Sequence, residues 1–137
     1  MQSFGQSLSF GTIPLGMGLV KKKPKYRRGD IFWIDLDPAR GNEAKKTRPC
    51  LILQNDLGNE FSSVTVVVPF LEPKDYPFVV NIMPSVQNGL DRERGLNFSQ
   101  LLVAHFSRFG QKLGHIDDSY WSAIKEAIAV ELAIFGR

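Results

Sequence analysis

At 137 residues the chain has room for one domain with a single hydrophobic core and little more. Hydrophobic residues make up 43% and charged residues 23%, an ordinary globular balance, and no apolar run approaches the roughly 20 residues of a membrane span, which excludes an integral membrane protein of the helical kind. The formal net charge of +3 is local: KKKPKYRR, residues 21–28, holds six of the 17 basic residues and no acid, so the rest of the chain carries 11 bases against 14 acids.

Residues 1–20, MQSFGQSLSFGTIPLGMGLV, are rich in Gly and Ser with scattered apolar residues and no sustained period. With the basic run they read as a flexible N-terminal extension, residues 1–27, ahead of one domain at 28–137. The positive charge follows the apolar residues instead of preceding them, which argues against an export signal. Met17 is an alternative start, and a segment that folds over the domain is a third reading. The basic run suits phosphates of a nucleic acid or an anionic surface, and equally suits a solvated tail.

Ile31, Trp33 and Ile34 in DIFWIDL form a short β-prone segment closed by Asp37-Pro38. Polar ARGNEAKKT follows as a loop. PCLILQN, residues 49–55, is an apolar run of strand length that predicts burial on both faces. NDLGNEFSS reads as turn chemistry, and VTVVVPF, residues 64–70, as a third strand rich in β-branched residues. A turn at Pro73 leads to a fourth strand at 77–84, then a charged loop at 85–95 and a fifth strand, LNFSQLLVA. HFSRFG reads as a short helical turn stopped by glycine, and KLGHI as a last small strand.

The C-terminal segment differs in kind. Trp121, Ile124, Ile128, Leu132 and Phe135 recur at spacings of three and four, with Lys125, Glu126 and Glu131 on the wet side. Asp117 or Asp118 is the expected N-cap and Gly136 the expected stop. Five or six short strands and one helix predict an α+β, mostly β domain: a compact barrel-like antiparallel sheet with a helix packed on it.

The only cysteine, Cys50, lies in an apolar run, so it reads as an inert buried thiol, and the absence of a possible intrachain disulfide suits a reducing cytoplasm. The chemistry points elsewhere. Arg48 stands at a loop-to-strand boundary where Pro49 restricts its backbone to the extended region. A planar, permanently charged fork there suits a phosphate and can neutralise charge as a phosphoryl transition state forms. Glu43, on the same loop, can take or give a proton, or simply pair with Arg48.

RRGDIFWIDLDPARGNEAKKTRPCLILQND, followed by VTVVVPF, FSQLL and KLGHIDD, resembles the MazF/PemK family of toxin endoribonucleases. The pattern RGD, an apolar strand, D-P-x-x-G-x-E and then R-P before a second apolar strand carries the resemblance, which runs from Arg28 to Ile134. It implies a small Src-homology-3-like barrel with a C-terminal helix, a homodimer with a groove for single-stranded RNA, and a cognate antitoxin partner. It further implies sequence-specific cleavage without metal or cofactor, through the ribose 2′-hydroxyl and a cyclic phosphate. By motif position Arg48 is similar to the family's catalytic arginine and Glu43 to its loop acid. Asn42, Lys45, Lys46 and Thr47 of the loop, with Ser99 and Gln100, are the expected RNA contacts, and His105, which opens the turn after the fifth strand, is a further candidate at the barrel rim, able in principle to act with His115 as acid and base.

The departures concern polar groups. Leu71 stands where the family commonly carries a hydroxyl after V-P-x, and Ser99, Leu102 and Val103 replace an acid and an arginine-threonine pair around Gln100. An alternative reading is therefore a catalytically weak or inactive RNA- or protein-binding module. His115 reads as part of the helix entry, and Ser62, Ser63 or Thr65 as a substitute hydroxyl if the register is slipped. No metal constellation is visible in the sequence.

Overall fold

The computed structural model describes residues 25–134, so the expected tail up to Pro24, Phe135 of the helical stripe and the expected stop Gly136 lie outside the described residues. The elements are β1 (Asp30–Asp35), β2 (Thr47–Ile52), α1 (Asp56–Phe61), β3 (Val64–Leu71), β4 (Val79–Ile82), β5 (Arg94–Asn97), β6 (Leu102–His105), β7 (Phe109–His115) and α2 (Trp121–Glu131). Short 3₁₀ turns at Phe98–Gln100, Phe106–Arg108 and Asp118–Tyr120 join the later ones.

All strand pairs are antiparallel, and the strands lie in the order β4, β5, β3, β2, β1, β7, with β6 also pairing with β3. Two neighbours share β3 because it is long: its Val64–Val67 half pairs with β6 and its Phe70–Leu71 end with β5. The sheet wraps into a barrel-like form without a closing ladder between β6 and β7 among the described residues.

The apolar run in β2 is buried on both faces, as its continuity predicts. Leu51 joins Ile31, Val68, Phe70, Leu96, Phe98, Ile116 and Ile124 in one core, whereas its neighbours Cys50 and Ile52 join Phe32, Ile34, Leu36, Val67 and Ala104 in a second. This is the period of two of a strand with apolar layers on either side. Ala44, from the β1–β2 loop, packs against the second core and so pins the loop's middle to the sheet. Burial pushes the Cys50 thiol far up, against the weaker opposing pull of Arg48, so the inert-thiol reading fits.

Six expectations are corrected. NDLGNEFSS is a helix, not a turn: the Asn55 side chain accepts from the Gly58 amide at 2.7 Å, and buried Asn59 bonds both Gln54 and Thr65. The fifth strand is two strands, broken because the Asn97 side chain accepts from the Ser99 amide and folds Phe98–Gln100 into a 3₁₀ turn. The glycine of HFSRFG does not stop a helix, since Gly110 lies inside β7. Neither aspartate caps α2: Asp117 accepts from Ser85 and Asn88 instead, tying the 85–95 loop to the helix entry. The helix ends at Glu131, so Leu132 is 54% exposed and does not continue the buried stripe.

His115 is the sixth, and it serves β1 instead of the helix. Its Nδ1 lies 2.9 Å from a carboxylate oxygen of buried Asp30, and its ring covers Gly29, where a Cβ would fall 2.6 Å from the ring. Gly29 has φ +94°, a conformation that side chains disfavour, so both space and backbone call for glycine there. Arg28 is also structural: its amide donates to Asp56, its Nε donates to the Leu53 carbonyl, and its guanidinium stacks 4.2 Å from the Trp121 ring. Burial lowers its pKa, with Asp56 acting in the opposite direction. One of the six bases in KKKPKYRR is thus an internal bolt between β2, α1 and α2.

Candidate active site

The β1–β2 loop owes its shape to bonds from three directions. Asp37 accepts from the Lys46 amide at 2.9 Å, and the Lys46 carbonyl accepts from the Leu36 amide at 2.9 Å, which closes the loop's neck. These two bonds hold Lys46 at φ +68°, a left-handed conformation costing a non-glycine residue roughly 1–2 kcal/mol. Arg108, from the turn before β7, donates through one Nη to the carbonyls of Asp35 at 3.0 Å and Asp37 at 2.7 Å. Gln100, from the turn before β6, grips the tip: its Oε1 accepts from the Ala44 amide at 3.1 Å and its Nε2 donates to the Asn42 carbonyl at 3.2 Å.

This frame presents Arg48 and Glu43. Arg48 pairs with Ile34 across β1 and is half-buried; its Nε donates to the Lys45 carbonyl at 3.1 Å. Its terminal amino groups have no hydrogen-bond partner among the described residues, and Arg48 lines a depression of about 310 Å³. Glu43, Ala44, Lys45, Leu71, Glu72, Lys74 and Asn97 complete the lining. The Glu43–Arg48 pair considered from the sequence does not form. Glu43 instead accepts from the Arg40 amide at 2.7 Å, so one carboxylate oxygen sets the loop while the residue still lines the depression.

A second depression, of about 350 Å³, lies on the other side of the Glu43–Ala44 ridge. Leu36, Pro38, Leu101, Leu102 and Val103 supply apolar walls, with Ser99, Gln100, Arg108 and Glu43 as the polar groups. The Ser99 hydroxyl donates to Asn97 at 2.6 Å, which leaves its oxygen free to accept.

The structure therefore gathers Arg48, Glu43, Lys45, Ser99 and Gln100 around one ridge, and separates the rest. Gln100 already spends its amide on the loop backbone and acts as a positioning group. Asn42 contributes its carbonyl to that grip, Lys46 stands at the loop's neck, and Thr47 is exposed opposite Asp35. His105 lines neither depression: its Nδ1 accepts from the Ser107 amide at 2.9 Å, and the residue sits at the far end of β6. Thr65 is buried against Asn59, and neither it nor Ser62 nor Ser63 lines either depression, so no substitute hydroxyl comes from the start of β3.

Four site residues escape a reading of the sequence. Glu72, Lys74 and Asn97 line the Arg48 depression, and Arg108 the second. Glu72 directly follows Leu71, so the position next to the missing hydroxyl carries an acid, held at 2.9 Å by Arg92. Arg108 is visible only as one cation in FSRF, because its role depends on a fold that brings it to residues more than 70 positions away.

Known proteins resemble this chain over most of its length. The family described as PemK-like, MazF-like toxin of type II toxin-antitoxin system matches residues 27–132. Endoribonuclease EndoA of Bacillus subtilis (strain 168) is 31% identical over 111 residues, covering 79% of this chain and 95% of that protein. Endoribonuclease MazF of Staphylococcus saprophyticus is 30% identical over 111 residues, covering 79% and 92%. Among solved structures, an endoribonuclease in complex with its cognate antitoxin from a mycobacterial species superposes with a TM-score of 0.66 at 21% identity, covering 82% of this chain and 99% of that one.

Proposed function

The chain belongs to the PemK-like, MazF-like toxin family of type II toxin-antitoxin systems, and from that premise we infer that it is an RNA-cleaving toxin whose reaction centre is the Arg48 depression. The observation that carries the assignment to this depression is the pairing of a guanidinium with open terminal amino groups and a separate carboxylate, Glu43, on one braced loop. The substrate is single-stranded RNA, which can bring its phosphate against Arg48 and its ribose against Glu43.

In the reaction, Glu43 accepts the proton of the 2′-hydroxyl as that oxygen attacks the adjacent phosphorus. The P–O5′ bond breaks, giving a 2′,3′-cyclic phosphate and a 5′-hydroxyl. Arg48 neutralises charge on the non-bridging oxygens as the phosphorane forms, with its fork already directed by the Lys45 carbonyl. Lys45 and Lys74 add positive charge to the same depression, and an ammonium there can donate to the leaving oxygen. Leu71 contributes neither donor nor acceptor. That single observation favours a second reading, in which the chain is a catalytically weak binding module on the same scaffold.

We further propose that cleavage is sequence-specific and needs no metal, that it takes place in the cytoplasm, and that the active form is a homodimer restrained by a cognate antitoxin. No helix among the described residues is long and apolar enough to cross a membrane. One assay tests the core of this: a long single-stranded RNA incubated with the protein in EDTA. Discrete fragments ending in cyclic phosphate, absent with Arg48→Ala, support it. Intact RNA with the wild type, still shifted on a gel, overturns the enzyme reading and leaves the binding module.

A further inference from the structure

The Arg48 depression has two walls drawn from different parts of the chain. The β1–β2 loop supplies Glu43, Ala44 and Lys45, and the segment leaving β3 supplies Leu71, Glu72 and Lys74, with Asn97 from the end of β5. Arg48 stands between them, because β2 pairs with β1 on one side and with β3 on the other. In a displacement at phosphorus the entering and leaving oxygens lie roughly in line, so a base on one wall calls for an acid on the other. Glu43 occupies the first wall.

The second wall offers one proton donor of the required kind. Leu71 has no polar group. Glu72 commits a carboxylate oxygen to Arg92 at 2.9 Å, and the Asn97 side chain already accepts from the amide and the hydroxyl of Ser99. Lys74 carries an ammonium. Its main chain is held at both polar atoms, since the Asn81 side chain, from β4, accepts from the Lys74 amide at 3.2 Å and donates to the Lys74 carbonyl at 3.0 Å. Asn81 lies opposite Gly95 in the β4–β5 ladder, and a Cβ on Gly95 would fall 2.6 Å from the Glu72 carbonyl and 3.1 Å from the Asn81 Oδ1. Glycine there lets the 72–74 segment close on Asn81.

Resting on the cleavage reading above, we propose that Lys74 is the catalytic acid of the reaction and Asn81 its positioning residue. As the 2′-oxygen bonds to phosphorus and gives its proton to Glu43, the P–O5′ bond breaks, its electron pair goes to O5′, and that oxygen takes a proton from the Lys74 ammonium. The amine left behind regains a proton from water. Lys45 is excluded by its place, because it shares the loop, and therefore the wall, of the base.

The test is a pair of substrates. The wild type first maps a cleaved linkage on a long RNA in EDTA, and a short RNA with that linkage is then made in two forms, one ordinary and one with sulfur in place of the bridging 5′-oxygen. A leaving thiolate needs no proton, so loss of the acid is silent on it. Lys74→Met is expected to cut the ordinary RNA about a hundredfold more slowly than wild type, and the sulfur form within about threefold of it after subtraction of uncatalysed cleavage. Asn81→Ala should show the same selectivity at about tenfold, whereas Arg48→Ala slows both forms alike. Lys74 and Asn81 are exposed, so the fold survives these changes, and melting curves check it. Equal slowing of both forms by Lys74→Met, or no slowing of either, overturns the proposal alone. So does a defect confined to the ordinary RNA that appears in Lys45→Met instead. A wild type that cuts no linkage in the mapping step overturns the cleavage reading and the proposal with it, so the two failures are told apart.

Discussion

Glu43 turns its carboxylate to the amide of Arg40, at 2.7 Å, and not to Arg48, whose Nε is held at 3.1 Å by the Lys45 carbonyl. An acid and a cation five residues apart on one loop thus avoid neutralising each other. Each is oriented by backbone, and each keeps capacity for a substrate.

Removing either should therefore act on chemistry, not on folding. Arg48→Ala is expected to slow cleavage on the order of a hundredfold to a thousandfold with a melting temperature close to wild type. Arg48→Lys keeps the charge but loses the planar fork, so it recovers only a small part of the rate. Glu43→Gln keeps an acceptor for the Arg40 amide while removing the base, and its defect should shrink when the pH is raised to favour the 2′-alkoxide. Cleavage rates measured across pH for all three proteins check this; an Arg48→Ala enzyme as fast as wild type would remove the centre from this depression.

Gln100 gives a prediction of another kind. Its amide spans Asn42 and Ala44, and neither of those bonds involves a reacting atom. Gln100→Ala should lower kcat about tenfold with little change in the melting temperature, while speeding proteolysis within residues 39–46. Gln100→Glu keeps the acceptor for Ala44 and loses the donor to Asn42, so it should fall between the two.

Much of this arrangement is legible in the chain, and the limits have physical causes. The β2 run announces its double burial because three successive apolar residues need a core on each face. Arg48 is legible because Pro49 fixes its backbone, and the acid-to-arginine spacing is local. What the sequence hides is non-local or depends on one side-chain bond. Asn97 breaks an apolar strand by capping Ser99; Asn55 turns turn-forming residues into a helix; Arg108 reaches a loop that follows β1 only because β7 pairs with β1. Glu72 is hidden for a simpler reason: an acid just past the end of a strand is ordinary turn chemistry, and only the pairing of β3 with β5 brings it beside Asn97 at the Arg48 depression.

Leu71 itself is testable. It lines the Arg48 depression from the end of β3, half-buried, where a hydroxyl would find the guanidinium and an incoming phosphate. Leu71→Thr should raise the cleavage rate about tenfold, a fraction of what a positioned donor contributes elsewhere. A rate that falls or stays level would mean that Glu72 or Asn97 already serves the same oxygen.

Acid sensitivity should trace to the loop before β5. The Arg94 side chain is only 7% exposed and is held by Asp91 at 2.9 and 3.1 Å. The bond from Arg94 keeps the Asp91 carboxyl below its ordinary range, against a smaller opposing effect of burial. A carboxyl whose folded pKa is depressed contributes stability above its unfolded pKa and loses it as pH falls through the folded value. Asp91→Asn should lower the melting temperature by several degrees at neutral pH, because a buried guanidinium loses its partner. The gap between wild type and variant should close as the pH drops through the carboxylate range. A gap constant with pH would mean that Arg94 is held by packing alone.

The basic segment offers the sharpest separation between a structural cation and a phosphate-binding one. Arg28 is committed to Asp56, Leu53 and Trp121, whereas Lys25 and Arg27 are exposed. Tyr26 between them stacks on Phe106 at 4.4 Å and packs on Phe32 and Phe109, which holds this segment against β1 and β7. Arg28→Ala should destabilise the fold by removing a stacked, hydrogen-bonded side chain, and leave the salt dependence of RNA affinity unchanged. Lys25→Ala and Arg27→Ala together should leave the melting temperature alone and reduce the slope of log affinity against log salt by about 0.7 for each phosphate these cations neutralise. Affinities measured at several salt concentrations decide it: if the double substitution leaves the slope intact, these cations are solvated and the RNA runs elsewhere.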